Sequence, residues 1–166
     1  MLLSRPGFGE VGLATSFWLG LEPLHQLTTI GGYGRMRVEM YANGSAWYSA
    51  EYDQFSVDNE TNEYRLSVSG YSGDAGDQLW PNNGQPFSTS DHGMMSPTAL
   101  AMQGGWWYSG YDLANVNGGF EFTVMSPTTG FYWNCSMIPS PPPTLSSLVA
   151  IKPGRLLISR VMITQP

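Results

Sequence analysis

"EYRLSVSGYSGDAGD" (residues 63–77) is the stretch that decides how the rest is read. Tyr64, Leu66 and Val68 alternate with Arg65, Ser67 and Ser69, the period-two pattern of a strand with one apolar face. The strand predicted over 63–71 then runs into Gly70-Tyr71-Ser72-Gly73-Asp74. A nucleophile elbow needs Gly-x-Ser-x-Gly, so that glycines permit the strained turn under the serine. Here the second glycine is out of place, and Ser72 reads as part of a structural turn. A phosphate loop is excluded because no lysine follows the glycines.

Two similar strands precede it. "RMRVEMY" (35–41) sets Met36, Val38 and Met40 against Arg37 and Glu39. "AWYSAEYDQFSVD" (46–58) carries Ala46, Tyr48, Ala50 and Tyr52 in alternation, and "NGS" before it suits a hairpin turn. Three closely connected strands predict an antiparallel sheet. "LEPLHQLTT" (21–29) predicts a short helix, with Pro23 in its first turn and Leu21, Leu24 and Leu27 on one face. From 72 to 119 the chain is rich in Gly, Asn, Ser and Asp and reads as loop. "SMIPSPPPTLSS" (136–147) reads as extended and exposed. "RLLISRVMI" (155–163) predicts a last strand, with Leu157, Ser159 and Val161 on one face and Ile158, Arg160 and Met162 on the other. No solenoid or propeller period is present.

Bulk composition narrows the function. The 166 residues predict one domain, and 42% apolar content supports a core. Aromatics reach 13% against 12% charged residues, the reverse of a disordered chain. A net charge of −6, with seven scattered Lys and Arg, argues against nucleic acid and anionic membranes as partners. The N-terminal apolar run stops at Leu3, before Arg5 and Pro6, which is not a signal-peptide pattern.

Cys135 is the single cysteine, so no internal disulfide forms, and on that count the chain reads as intracellular. Three N-x-S/T sequons, at Asn43, Asn59 and Asn134, point the other way, toward a secretory history. "DNETNE" (58–63) resembles a calcium loop but lacks its sixth-position glycine and distant bidentate glutamate, and so reads as an exposed acidic turn. His25 and His92, without paired cysteines, make no zinc site. Trp106, Trp107 and Tyr108 suit either a sugar-stacking platform or a core, and the flanking glycines favour core for at least one tryptophan.

Taken in order, the motifs resemble those of the fibrinogen C-terminal domain, or fibrinogen-related domain. The carriers are "GFGEVGLATSFWLGLEPLHQLT", "MRVEM" with "YDQFSV", "YRLSVSGYSGDAGD", "NNGQPFSTSD" and "GGWWYSGYDLANVNG". The wording is closest to tenascin-type matrix glycoproteins, and ficolin- and angiopoietin-like members share most of it. The resemblance implies an extracellular, non-enzymatic binding module of α+β class, a twisted antiparallel sheet with short helices and a loop-rich binding lobe. It assigns residues 7–166 to a truncated domain with a Pro/Ser-rich insertion at 134–151, and residues 1–6 to an N-terminal extension. The family's opening disulfide-closed subdomain, which precedes "GFG", is missing from this expectation, and so is its upstream oligomerisation region.

Departures from the family pattern are informative. The cysteines that flank the family's "WWY" correspond to Thr98 and Tyr111, so a crosslink worth on the order of 2–4 kcal/mol is lost without leaving an orphan thiol. The family's calcium loop opens Asp-x-Asp. Asp91 keeps the first ligand, but the second is Gly93, which predicts no high-affinity calcium and no other cofactor. The acetyl pocket of lectin-like members uses a tyrosine and a histidine that fall at Met102 and Asp112, and an unusual cis bond that falls at Gly110–Tyr111. Met102, Tyr111 and Asp112 are therefore the candidate ligand-binding positions, all substituted. The leading reading is a matrix or adhesion recognition module for a protein or glycan. The alternatives are a ficolin-like lectin for acetylated sugars and a degenerate fragment. A Ser72 hydrolase is expected to show no turnover.

Overall fold

The computed structural model describes residues 5–9, 17–42, 46–118, 132–133 and 156–165. Asn43, Asn134, Cys135 and the Pro/Ser-rich stretch 134–151 lie outside the described residues.

A four-stranded antiparallel sheet carries the molecule. Its strands are β3 (Arg35–Ala42), β4 (Ala46–Val57), β5 (Leu66–Gly73) and β8 (Leu156–Thr164), in the order β5-β4-β3-β8. The predicted face is the buried one: Met36, Val38 and Met40 on β3 lie opposite Tyr52, Ala50 and Tyr48 on β4. On β8, Val161 pairs with Val38 but is half exposed, while Ile163 packs on the core. Across the exposed face, Arg37 links to Glu39 at 2.9 Å and to Glu51 on β4.

Two details depart from the alternation read in the sequence. First, β5 starts at Leu66 rather than Glu63, because Glu63 and Tyr64 take positive φ values of 54° and 52°. They close the acidic turn, a single 3₁₀ turn at Glu60–Asn62. Second, burial changes parity along β4, from Ala50 and Tyr52 to Phe55 and Val57. On β5 it changes between Val68, which is buried, and Tyr71, which is partly buried against the core. Asp53 on β4 and Gly70 on β5 are the extra residues. Pairing is regular on either side of them, Tyr52 with Tyr71 and Phe55 with Val68, while the Phe55 N–H donates to Gly34 O at 2.8 Å, one step out of the β3–β4 register. This is a bulge shared by two neighbouring strands. Gly70 has φ 72°, and a Cβ there would stand 2.9 Å from that of Asp53, so glycine is required.

The helix α1 (Leu21–Thr29) has the predicted bounds and lies on β4. Leu21 and Leu24 are buried as expected, but Thr28, not Leu27, completes the inner face. Its hydroxyl donates to Leu24 O at 2.8 Å and accepts from the Val57 N–H at 3.1 Å. His25 adds a bond from Nδ1 to Val57 O at 2.9 Å, a second tie between helix and sheet. Glycines 7 and 20, both at positive φ, bring β1 (Phe8–Gly9) and β2 (Phe17–Trp18) together just before the helix.

The loop-rich segment after β5 holds a 3₁₀ turn at Trp80–Asn82, the helix α2 (Ser96–Ala101) and β6 (Ala114–Asn115), which pairs with β7 (Tyr132–Trp133). Its anchors are aromatic. Trp133 is fully buried, and its Nε1 donates to Ala75 O at 3.0 Å. Trp107 Nε1 donates to Tyr64 O at 2.7 Å, so the left-handed turn at Tyr64 presents a carbonyl to the lobe. Phe87 stacks on Trp18 and meets Trp107 edge-on, with centroids at 5.9 and 5.1 Å.

Candidate functional site

Trp106, Trp107 and Tyr108 are all buried, at 5%, 3% and 0% exposure. They cannot stack on a ligand and form the floor of the lobe. Among the described residues of the lobe, the exposed aromatics are Trp80 and Tyr111, at 58% and 49%, with ring centroids 6.2 Å apart. Sequence reasoning marked Tyr111 but missed Trp80. The available signal is a lone tryptophan within the polar, Asn-containing stretch "DQLWPNNGQ" (77–85), beside a proline that starts a turn.

Asp112 explains why these two rings meet. Its Oδ1 accepts from Asn82 Nδ2 at 2.8 Å and from the Ser109 N–H at 2.9 Å, and its Oδ2 accepts from the Gly110 N–H at 3.2 Å. Asn82 is fully buried, two residues beyond Trp80, and its Nδ2 also donates to Trp107 O at 2.9 Å. The bond Asn82–Asp112 thus crosslinks the Trp80 turn to the Tyr111 loop. Asp112 serves its own loop and Asn82 as a carboxylate acceptor. The described peptide bonds are all trans, Gly110–Tyr111 included.

Burial raises the tyrosines nearby. Tyr132 is pushed up to about 12, first by burial and then by the Asp112 charge. Tyr108 is also raised, by burial first and then by Tyr132 and Asp112. Its hydroxyl donates to Gly104 O at 2.8 Å.

The other candidates lie apart from this pair. Met102 ends α2, half-buried against the core, and its carbonyl accepts from Asn115 Nδ2 at 3.2 Å. Asp91 sits on a separate turn, closed by Thr89 and His92, where its Oδ1 accepts from Thr89 Oγ1 at 2.6 Å. Calcium, implied by the resemblance, does not fit these residues. Asp91 is followed by His92, Gly93 and two methionines, and among the described residues no three His, Cys, Asp or Glu side chains converge on a metal-sized site. Asn59 is exposed in the acidic turn. Ser72 stands on β5 opposite Glu51, while His25 is tied to β4 and His92 approaches Glu63 at 3.9 Å.

Comparison with known proteins decides the lineage. The profile of the C-terminal globular domain of fibrinogen beta and gamma chains matches residues 4–137. The chain belongs to the fibrinogen C-terminal domain family. Human tenascin-R is 40% identical over 131 residues, which cover 77% of this chain and 9% of that protein. Human angiopoietin-related protein 6 is 41% identical over 117 residues, 69% of this chain and 24% of that protein. The chain therefore spans a small share of either relative. The fibrinogen-like globe domain of human ANGPTL2 superposes with a TM-score of 0.81 at 26% identity, covering 99% of this chain and 71% of that domain. That of human ANGPTL6 gives 0.76 at 30% identity, covering 98% and 69%. The α+β fold, its antiparallel sheet and its few short helices are those of a fibrinogen-like globe.

Proposed function

We propose that this chain is an extracellular, non-enzymatic recognition module, built on residues 7–166, that binds a protein or glycan partner through its loop-rich lobe. The observation that carries this reading is the exposed Trp80–Tyr111 pair, held in place from below by the Asn82–Asp112 bond. Half-exposed aromatic rings on a fixed base lose little conformational entropy on binding. They offer an apolar face to a sugar ring or to an apolar side chain. Leu100 and Met94, also exposed, extend the apolar character of the same lobe. The chain's tenascin and angiopoietin-related relatives are extracellular proteins, which supports an extracellular placement. The calcium and acetyl-sugar chemistry of lectin-like members is not part of the reading, because Asp91, Met102 and Asp112 do not supply it.

Purified chain on a glycan array and on immobilised matrix proteins, with and without calcium, tests this directly. A hit should weaken at least about tenfold, or 1.4 kcal/mol, in both Trp80→Ala and Tyr111→Ala, with unfolding midpoints unchanged. Binding indifferent to both substitutions refutes the site. A calcium-dependent acetyl-sugar hit refutes it in favour of the ficolin-like alternative. Absence of a cooperative unfolding transition favours a fragment that does not fold alone.

A further inference from the structure

The acidic turn at 58–63 is built from its own polar groups, and two of them stand apart. Asp58 Oδ1 accepts from the Asn59 N–H at 2.7 Å, and Asp58 Oδ2 accepts from Asn62 Nδ2 at 2.8 Å. Asn59 Oδ1 caps the 3₁₀ turn by accepting from the Asn62 N–H at 3.2 Å. Glu60 pairs with Arg5 at 3.2 Å. Among the described residues, no hydrogen bond engages Asn59 Nδ2 or Thr61 Oγ1, and both residues are exposed. With the amide oxygen turned toward the helix end, the nitrogen takes the other branch of the planar group. The turn therefore keeps its shape without using the two groups that define an N-x-T acceptor.

We infer that Asn59 is an N-glycan attachment site that the folded turn accommodates without rearrangement. The group transferred is an oligosaccharide carried on a lipid pyrophosphate, delivered by a transferase. The bond between Asn59 Nδ2 and the anomeric carbon forms, and the anomeric C–O bond to pyrophosphate breaks. The pyrophosphate leaves with the bonding pair, and the Nδ2 proton passes to a base of the transferase. The capping oxygen is untouched, so the cap survives modification. A sugar here sits beside the turn of Asp91, because Glu63 of the same turn approaches His92 at 3.9 Å.

The test does not depend on the proposed function, because a cleavable leader delivers the full chain into microsomes. Asn43→Gln and Asn134→Gln leave Asn59 as the one native acceptor, and a sequon on an appended tail reports that the transferase is active. The expected result is one further glycosidase-sensitive step in gel mobility, retained in Thr61→Ser and lost to background in Thr61→Ala. Thr61→Ala keeps the Asn59 cap, so its unfolding midpoint should match the parent after glycosidase treatment. Asn59→Gln removes cap and acceptor together. A chain modified on the tail but not at Asn59 overturns the inference, and so does a step that persists in Thr61→Ala. A glycosylated chain whose midpoint falls when the sugar is attached overturns the accommodation.

Discussion

Replacing Asp112 with alanine should loosen the lobe far more than an exposed loop substitution normally would. Four donors lose an acceptor: Asn82 Nδ2, which keeps only its bond to Trp107 O, the backbone N–H groups of Ser109 and Gly110, and the Ser109 hydroxyl at 3.5 Å. The two backbone groups lie near the surface, where water replaces much of the loss. Asn82 does not share that relief, because it is fully buried and its Oδ1 already has no hydrogen-bond partner among the described residues. A hydrogen bond to a charged group contributes about 1.5–3 kcal/mol, and a buried donor left unsatisfied adds to the cost. A loss of about 3 kcal/mol is expected, a large part of a stability of roughly 5–15 kcal/mol. Urea unfolding should show this as a lower midpoint with an unchanged slope. The double variant with Asn82→Ala separates the pair from its surroundings, with a coupling of about 1–2 kcal/mol expected. Tyrosinate absorbance in Asp112→Ala should show Tyr132 ionising below about 12, since one of its two causes is gone. A destabilisation under about 0.5 kcal/mol, the scale of an unremarkable surface change, refutes the crosslink, as does strict additivity with Asn82→Ala.

Two further outcomes follow from the packing. Gly105→Ala places a Cβ 2.8 Å from Phe87 Cε1 and 3.0 Å from Cζ, and Phe87 is fixed between Trp18 and Trp107. Overpacking of about 1–3 kcal/mol is expected in a thermal melt, and an unchanged midpoint counts against the rigidity assigned to Phe87. Alkaline titration tests the buried phenols. Tyr64 is raised from 10.0 to about 12, by burial first and then by its bond to Glu22, and Tyr132 is raised to a similar value. Both are acids that fold in the neutral form. Their contribution is complete below pH 10 and is lost as pH rises from 10 toward about 12. Denaturation midpoints flat across that window contradict the burial assigned to them.

The sheet was legible because its signal is local. Met36, Val38 and Met40 need only their neighbours in sequence to declare a face, and Pro23 with two leucines declares α1. The shared bulge was not legible, because Asp53 and Gly70 compensate one another across two strands and each alone looks like a broken pattern. The start of β5 was misplaced for a related reason. Tyr64 satisfies the alternation but is held in a left-handed turn, where its carbonyl serves Trp107, 43 residues away. The lobe yielded less. Tyr111 and Asp112 read from the sequence as substituted pocket positions. What Asp112 does depends on Asn82, 30 residues earlier, and on the burial of that amide, which no local pattern reports.

The paired bulge also ties together the lengths of two strands. Deleting Asp53 alone puts Ala50, Tyr52, Phe55 and Val57 into simple alternation on one face but leaves β4 one residue short against β5, and deleting Gly70 alone slips β5 against β4 in the opposite sense. Deleting both keeps the two strands in step with each other and makes the match of β4 to β3 regular. Insertions and deletions at these two sites are thus neutral chiefly as a matched pair. Among descendants of this sequence, a change of length at one site should arrive with the same change at the other.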